Sequence, residues 1–218
     1  MNNAEYLSEA DTRAKFIDSA LHKRGWTEDL IRREETERGV EIIKGQPRRK
    51  QKGRTDYLLR IRVNISSQPI SIALIEAKKS DEPVDKGLEQ AKKYARLNNV
   101  PFVFSCNGDL FVEYDSFTGK TSEPLVIDKI PTPEELRSRY EKGMGFSLDS
   151  EKTKPLLVPY TRGEASRRYY QDAAIRAVLE KIAQGKNRTV YVFCQWRAYS
   201  SFKRIREKDW RNISSKGN

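Results

Sequence analysis

The order of elements in this 218-residue sequence predicts an α/β fold, a central mixed β-sheet flanked by helices with a C-terminal helical or stub segment. Three observations predict it. "TDYLLRIRVNI" and "ISIALIEAK" read as two strands in succession. "LEQAKKYARLNN" then shows helical spacing. Finally "PFVFSCNGDLFVEYD" places Asn107-Gly108 between two apolar runs, the strongest hairpin signal in the chain.

Each element has its own signature. Ser8 caps a first helix, with Asp11 three residues on, Ala14, Ile17 and Leu21 as its apolar stripe, and Gly25 as its end. Residues 30–52 are polar, with short β-like pieces such as "VEIIKG". In the first strand Tyr57, Leu59, Ile61 and Val63 share one face, and Asp56, Leu58, Arg60 and Arg62 the other. The second strand is apolar on both faces and therefore central. A helix entered after Pro83 turns Leu88, Ala91 and Ala95 to the core, and "TPEELRSRYEKG" is a short threonine-capped helix. Residues 146–163 read as a linker, and "EASRRYYQDAAIRAVLEKIAQG" as a helix closed by Gly185.

Composition narrows the chemistry. One histidine, His22, leaves no histidine metal cluster and no Ser-His-Asp triad, and the distant cysteines Cys106 and Cys194 suggest neither disulfides nor zinc. No apolar run approaches the roughly 18 residues that span a membrane, and the expectation is a cytoplasmic, reducing location. The net charge of +11 is uneven: residues 160–218 hold 14 Lys+Arg against 5 Asp+Glu, whereas residues 1–159 hold 28 against 26. Global charge is thus poor support for a DNA-binding body. The local run "PRRKQKGR" fits a solvated loop as well as a phosphate contact.

The chemistry concentrates at the end of the second strand. Residues two apart point the same way, so Glu76 and Lys78 share a face, and Asp56 on the neighbouring strand is placed to join them. Such a group is either a salt-bridged set or a site. As a site, Asp56, Glu76 and the backbone carbonyl of Ala77 supply oxygens to a hard cation such as Mg²⁺, and Lys78 orients the attacking water or stabilises phosphate charge. The apolar run ahead of Glu76 favours the site, because a buried carboxylate needs a partner or a metal.

"TDYLL", "LIEAKK", "QAKKY" and "VPFVFSCNGDLFVEYD", in that order, resemble the nuclease region of the type I restriction enzyme R (HsdR) subunit. That region belongs to the PD-(D/E)xK superfamily, in the branch with a Q-x-x-x-Y motif. The resemblance covers roughly residues 5–190. It implies a restriction-endonuclease-like core, Asp56 and Glu76 as metal ligands, Lys78 as the catalytic lysine, and Gln90 and Tyr94 as DNA-contacting or site-organising residues. Glu9 would correspond to a further acidic residue near such sites, or be a plain helix-surface glutamate. Arg13 and Trp26 read as structural. The implied cofactor is Mg²⁺, with Mn²⁺ able to substitute. The implied partners are double-stranded DNA and the methyltransferase (M) and specificity (S) subunits of a restriction-modification complex. The alternative is a non-catalytic DNA-binding or subunit-assembly module that keeps the nuclease fold.

"RRYYQDAAIRAVLEKIAQGKNRTVYVF" is similar to the start of the same family's ATP-driven motor, with Gln171 where such motors read adenine. No G-x-x-x-x-G-K-[ST] phosphate loop follows, so no ATP site is expected. The resulting division is a nuclease domain over 1–145, a linker over 146–163, an incomplete motor segment over 164–193 and a basic tail over 194–218. The tail, "RAYSSFKRIREKDWR" with its interleaved aromatics, is either a nucleic-acid-binding segment or the product of truncation or a shifted frame.

Overall fold

The structure is a computed structural model that describes residues 8–37, 40–43, 46–49, 53–159 and 169–186. The basic tail and the strand expected from Arg188 lie outside the described residues, as do the side chains of "PRRKQKGR" and of Gln171.

The elements in chain order are helix α1, built from Glu9–Thr12, Arg13–Ile17 and Asp18–Lys23, then strands β1 (Ile31–Glu37), β2 (Val40–Ile43), β3 (Gln46–Arg49), β4 (Gly53–Ile61) and β5 (Ile70–Ala77). Helix α2 (Leu88–Asn98), the strands β6 (Phe102–Cys106) and β7 (Leu110–Asp115), and two short strands β8 (Lys120–Thr121) and β9 (Leu125–Val126) follow. Helices α3 (Pro133–Met144), α4 (Lys154–Leu157) and α5 (Tyr169–Ala183) complete the set.

The main sheet runs β1-β4-β5-β6-β7, with β8 and β9 both pairing with β7. Among the described strands only β5 and β6 pair in parallel, joined through α2, and the other pairs are antiparallel. The sheet is therefore mixed and β5 is central, as its two apolar faces demand. β2 and β3 form a separate hairpin.

Two apolar layers hold the sheet. On one face α2 sets Leu88, Ala91 and Ala95 against Leu58, Leu74, Val103 and Val112. On the other, Tyr57, Leu59, Ile75, Phe102, Phe104 and Phe111 pack with Ile17 and Leu21 of α1, Trp26, Leu136 and Tyr140 of α3, and Ile175 and Leu179 of α5. A register shift between Leu59 and Arg60 marks a bulge opposite Ile72, which puts Ile72 and Ala73 in the same core layer.

The first helix departs from the expected stripe. Ala14 is exposed, and Thr12 is buried with Ile17, Ala20 and Leu21. The cause is the π-helical stretch Arg13–Ile17: its wider turn puts Thr12, five residues back from Ile17, in phase with the core. At the other end Gly25, at φ +86, lets the chain reverse so that Trp26 donates to the Leu21 carbonyl.

The described part of the segment read as a linker, residues 146–159, packs against the main core. Leu148 and Leu156 are buried in the main core, and the Thr153 hydroxyl donates to the carbonyls of Leu148 and Ser150. Apolar residues spaced by turns anchor this Pro-containing loop to the sheet. α5 also joins the core. Arg176 donates to the carbonyls of Ser71, Asn98 and Asn99, while Glu180 accepts from Tyr140 and Asn99. The β1 strand, unforeseen in a polar stretch, pairs along β4 from Ile31 to Glu37. α2 begins at Leu88 rather than directly after Pro83, because residues 84–87 form successive turns. Among the described residues no helix is long and apolar enough to cross a membrane.

Candidate active site

The pairing of β4 with β5 and of β5 with β6 carries three polar side chains to one end of the α2-facing side of the sheet. Asp56 lies on β4 in phase with Leu58, Glu76 on β5 in phase with Leu74, and Ser105 on β6 directly opposite Glu76. All three are buried. Asp56 accepts the Ala77 amide through Oδ2 at 2.8 Å, so the first carboxylate is tied to the strand that bears the second.

Two helices complete the group. From α1, Glu9 brings a third carboxylate; one oxygen from each of Glu9, Asp56 and Glu76 lies within 4.8 Å of the others. Also from α1, Arg13 donates to Asp56 Oδ1 at 2.9 Å. The Arg13–Ile17 π turn sets the phase of this end of the helix against its core-packed half. From α2, Gln90 Nε2 donates to Glu76 Oε1 at 2.9 Å, the same oxygen that takes Lys78 Nζ at 2.9 Å.

The electrostatics are those of a crowded acidic pocket. Burial pushes Glu76 up to about 7; Lys78 works against that, while the charges of Asp56 and Glu9 add to it. Burial works to lower Lys78, but the hydrogen bond to Glu76 and the field of the three carboxylates outweigh it, and the net shift is upward. Lys78 is therefore a cation here, suited to stabilising negative charge. The nearby Cys106 thiol is buried and pushed up to about 12, which rules it out as a nucleophile at neutral pH.

The residues fit a hard divalent cation. Glu76 Oε2 is buried and without a hydrogen-bond partner among the described residues, and such an oxygen calls for a proton, a water or a metal. Three converging carboxylates are the oxygen donors that Mg²⁺ or Mn²⁺ prefers.

Of the residues expected from the sequence, Glu9, Asp56, Glu76, Lys78 and Gln90 come together. Ala77 meets them through its amide. Tyr94 lies one turn along α2 from Gln90 and packs, half-buried, against the α2-side apolar cluster. Sequence reasoning set Arg13 aside as structural and missed Ser105 and Gly87. Gly87 is the most legible in hindsight: a Cβ there would stand 2.6 Å from Lys78 Cε, 2.9 Å from Ser105 Oγ and 3.0 Å from Glu76 Cγ. Only a residue without a side chain lets α2 begin this close to the pair.

A scan against protein-family models found no match. The endonuclease subunit of the type I restriction enzyme EcoAI from Escherichia coli is 31% identical over 98% of this chain, which spans 26% of that subunit. A solved fragment assigned to the HsdR subunit of a type I restriction enzyme from Vibrio vulnificus YJ016 superposes with a TM-score of 0.67. It is 31% identical, over 85% of this chain and 34% of that one. The chain therefore spans about a quarter of the length of its curated relative, and over that span its sequence and fold are similar to part of the R (HsdR) subunits of type I restriction enzymes.

Proposed function

We propose that this chain is a divalent-metal-dependent DNA endonuclease unit of the type I restriction kind, hydrolysing phosphodiester bonds. The observation that carries the reading is the convergence of Glu9, Asp56 and Glu76 within 4.8 Å beside the Lys78 ammonium. Asp56, Glu76 and Glu9 would hold Mg²⁺ or Mn²⁺, with the Ala77 carbonyl as a further oxygen ligand. When bound, such an ion supplies Lewis-acid polarisation of the scissile phosphate and lowers the pKa of a coordinated water. Lys78 stabilises the negative charge that grows on the phosphate oxygens. Gln90 fixes Glu76 through Oε1, and Tyr94, on the same face of α2, helps to seat the strand. Double-stranded DNA is the proposed substrate, and methyltransferase and specificity subunits are the proposed partners, the latter supplying sequence recognition.

The test is nicking of supercoiled plasmid with Mg²⁺ or Mn²⁺. Wild type should nick, and Lys78→Ala and Asp56→Ala should each lose at least about a hundredfold, the scale of a lost catalytic group. Equal activity in the three proteins would remove the assignment of the site, and no activity in wild type with DNA binding retained would replace the enzyme with an assembly module.

A further inference from the structure

We propose that Arg13 is the resident counter-cation of the metal site: it holds Asp56 while no divalent ion is bound and competes with the ion for that carboxylate. This rests on the reading of the site as a metal centre. The ion pair is short, 2.9 Å, and its acid is well shielded, with the Asp56 side chain 9% exposed and that of Arg13 20%. A guanidinium has no accessible neutral form, so it can leave Asp56 only by moving. Arg13 stands on the π-helical turn of α1, and its side chain is less shielded than the acid it holds.

Charge balance says what moves it. With the three carboxylates ionised, Arg13 and Lys78 leave the group with one net negative charge. A divalent ion alone would overshoot to positive, whereas the ion together with one phosphodiester would make the set neutral. The guanidinium also matches phosphate oxygens in its fork of donors. Arg13 therefore opposes loading of the empty site by metal and favours loading of metal and DNA together. By linkage, DNA must then strengthen metal binding as much as metal strengthens DNA binding.

Calorimetric titration with Mn²⁺ in the absence of DNA tests this. Arg13→Gln should bind Mn²⁺ roughly tenfold or more tightly than wild type, because a unit charge beside the ion has been removed. Arg13→Lys, which keeps the charge, should stay within about threefold of wild type on the same argument. A duplex with uncleavable phosphorothioate linkages should tighten Mn²⁺ binding in wild type and do so less in Arg13→Gln. Should Arg13→Gln not fold, Arg13→Met keeps the aliphatic stem and carries the same expectation. Equal or weaker Mn²⁺ binding in the neutral variants overturns the inference, as does equal tightening in Arg13→Lys. If wild type binds no Mn²⁺, the metal-centre reading itself has failed, and this inference with it.

Discussion

The carboxylate of Asp56 accepts the backbone amide of Ala77 at 2.8 Å, which makes one acidic residue both a candidate ligand and a clasp between β4 and β5. The two roles separate by substitution. Asp56→Asn keeps a carbonyl oxygen for the amide but loses the charge. It should lose less stability than Asp56→Ala, because both variants forfeit the Arg13 ion pair but only the alanine also strands the amide, and it should show none of the stabilisation that millimolar Mn²⁺ gives wild type by mass action. Asp56→Ala leaves a buried amide unpaired and should cost about 1–3 kcal/mol. A full Mn²⁺ response in Asp56→Asn would remove Asp56 from the ligand set.

Glu76 gives the metal-free protein a pH dependence of known sign. Its folded-state pKa of about 7 lies above its ordinary value of 4.5, so the folded protein binds the proton more tightly than the unfolded chain does. Stability from this group is complete below about pH 4.5 and falls as pH rises to about 7, by at most about 3 kcal/mol. Glu180, also raised by burial, contributes in the same direction. Comparison with Glu76→Gln cancels it. In chelator, wild type should lose more stability between pH 5 and pH 8 than Glu76→Gln does; identical slopes would count against the assignment.

Gly87→Ala tests the close approach of α2. The nearest atom to the added methyl is Lys78 Cε, the far part of a flexible side chain, and it can move away. The expected result is a split: a stability loss of about 1–3 kcal/mol from the remaining crowding, and a drop in nicking larger than that loss explains, because Lys78 is displaced from Glu76. A variant that cuts like wild type would show that the lysine does not need its present position.

Arg176 anchors α5 to the sheet and to the end of α2. It donates to Ser71, Asn98 and Asn99 carbonyls and lies 3.5 Å from Glu180, which is itself bonded to Tyr140 and Asn99. Arg176→Met strands a buried carboxylate and should cost about 3–5 kcal/mol. Arg176→Met/Glu180→Leu should recover part of that. Denaturant unfolding of the single and double variants measures it, and additive losses would deny the coupling.

The sequence fared best where a residue's surroundings follow from its nearest neighbours. Alternation placed Tyr57 and Leu59 on one face and Leu58 on the other, and both layers exist. Continuous apolarity marked β5 as central, and capping chemistry found α3, where Thr132 and Glu135 form a reciprocal cap. Spacing also put Glu76 and Lys78 on one face, and the four-residue step from Gln90 to Tyr94 on another. It failed where a local rule was broken. The π turn shifted the stripe of α1 from Ala14 to Thr12, and the pairing of β1 with β4 overrode a polar composition.

By itself, then, the sequence determined the mixed α/β frame and named most of the polar residues that gather at its edge, because strand and helix periods fix which side chains share a face. Only the tertiary structure decided that Arg13 meets Asp56 and that a side chain at position 87 would crowd Lys78, Ser105 and Glu76. It also decided that the segment after α3 is packed rather than free. Each of those is a contact between elements distant in the chain, set by how the helices settle on the sheet, and no periodicity within a single element encodes it.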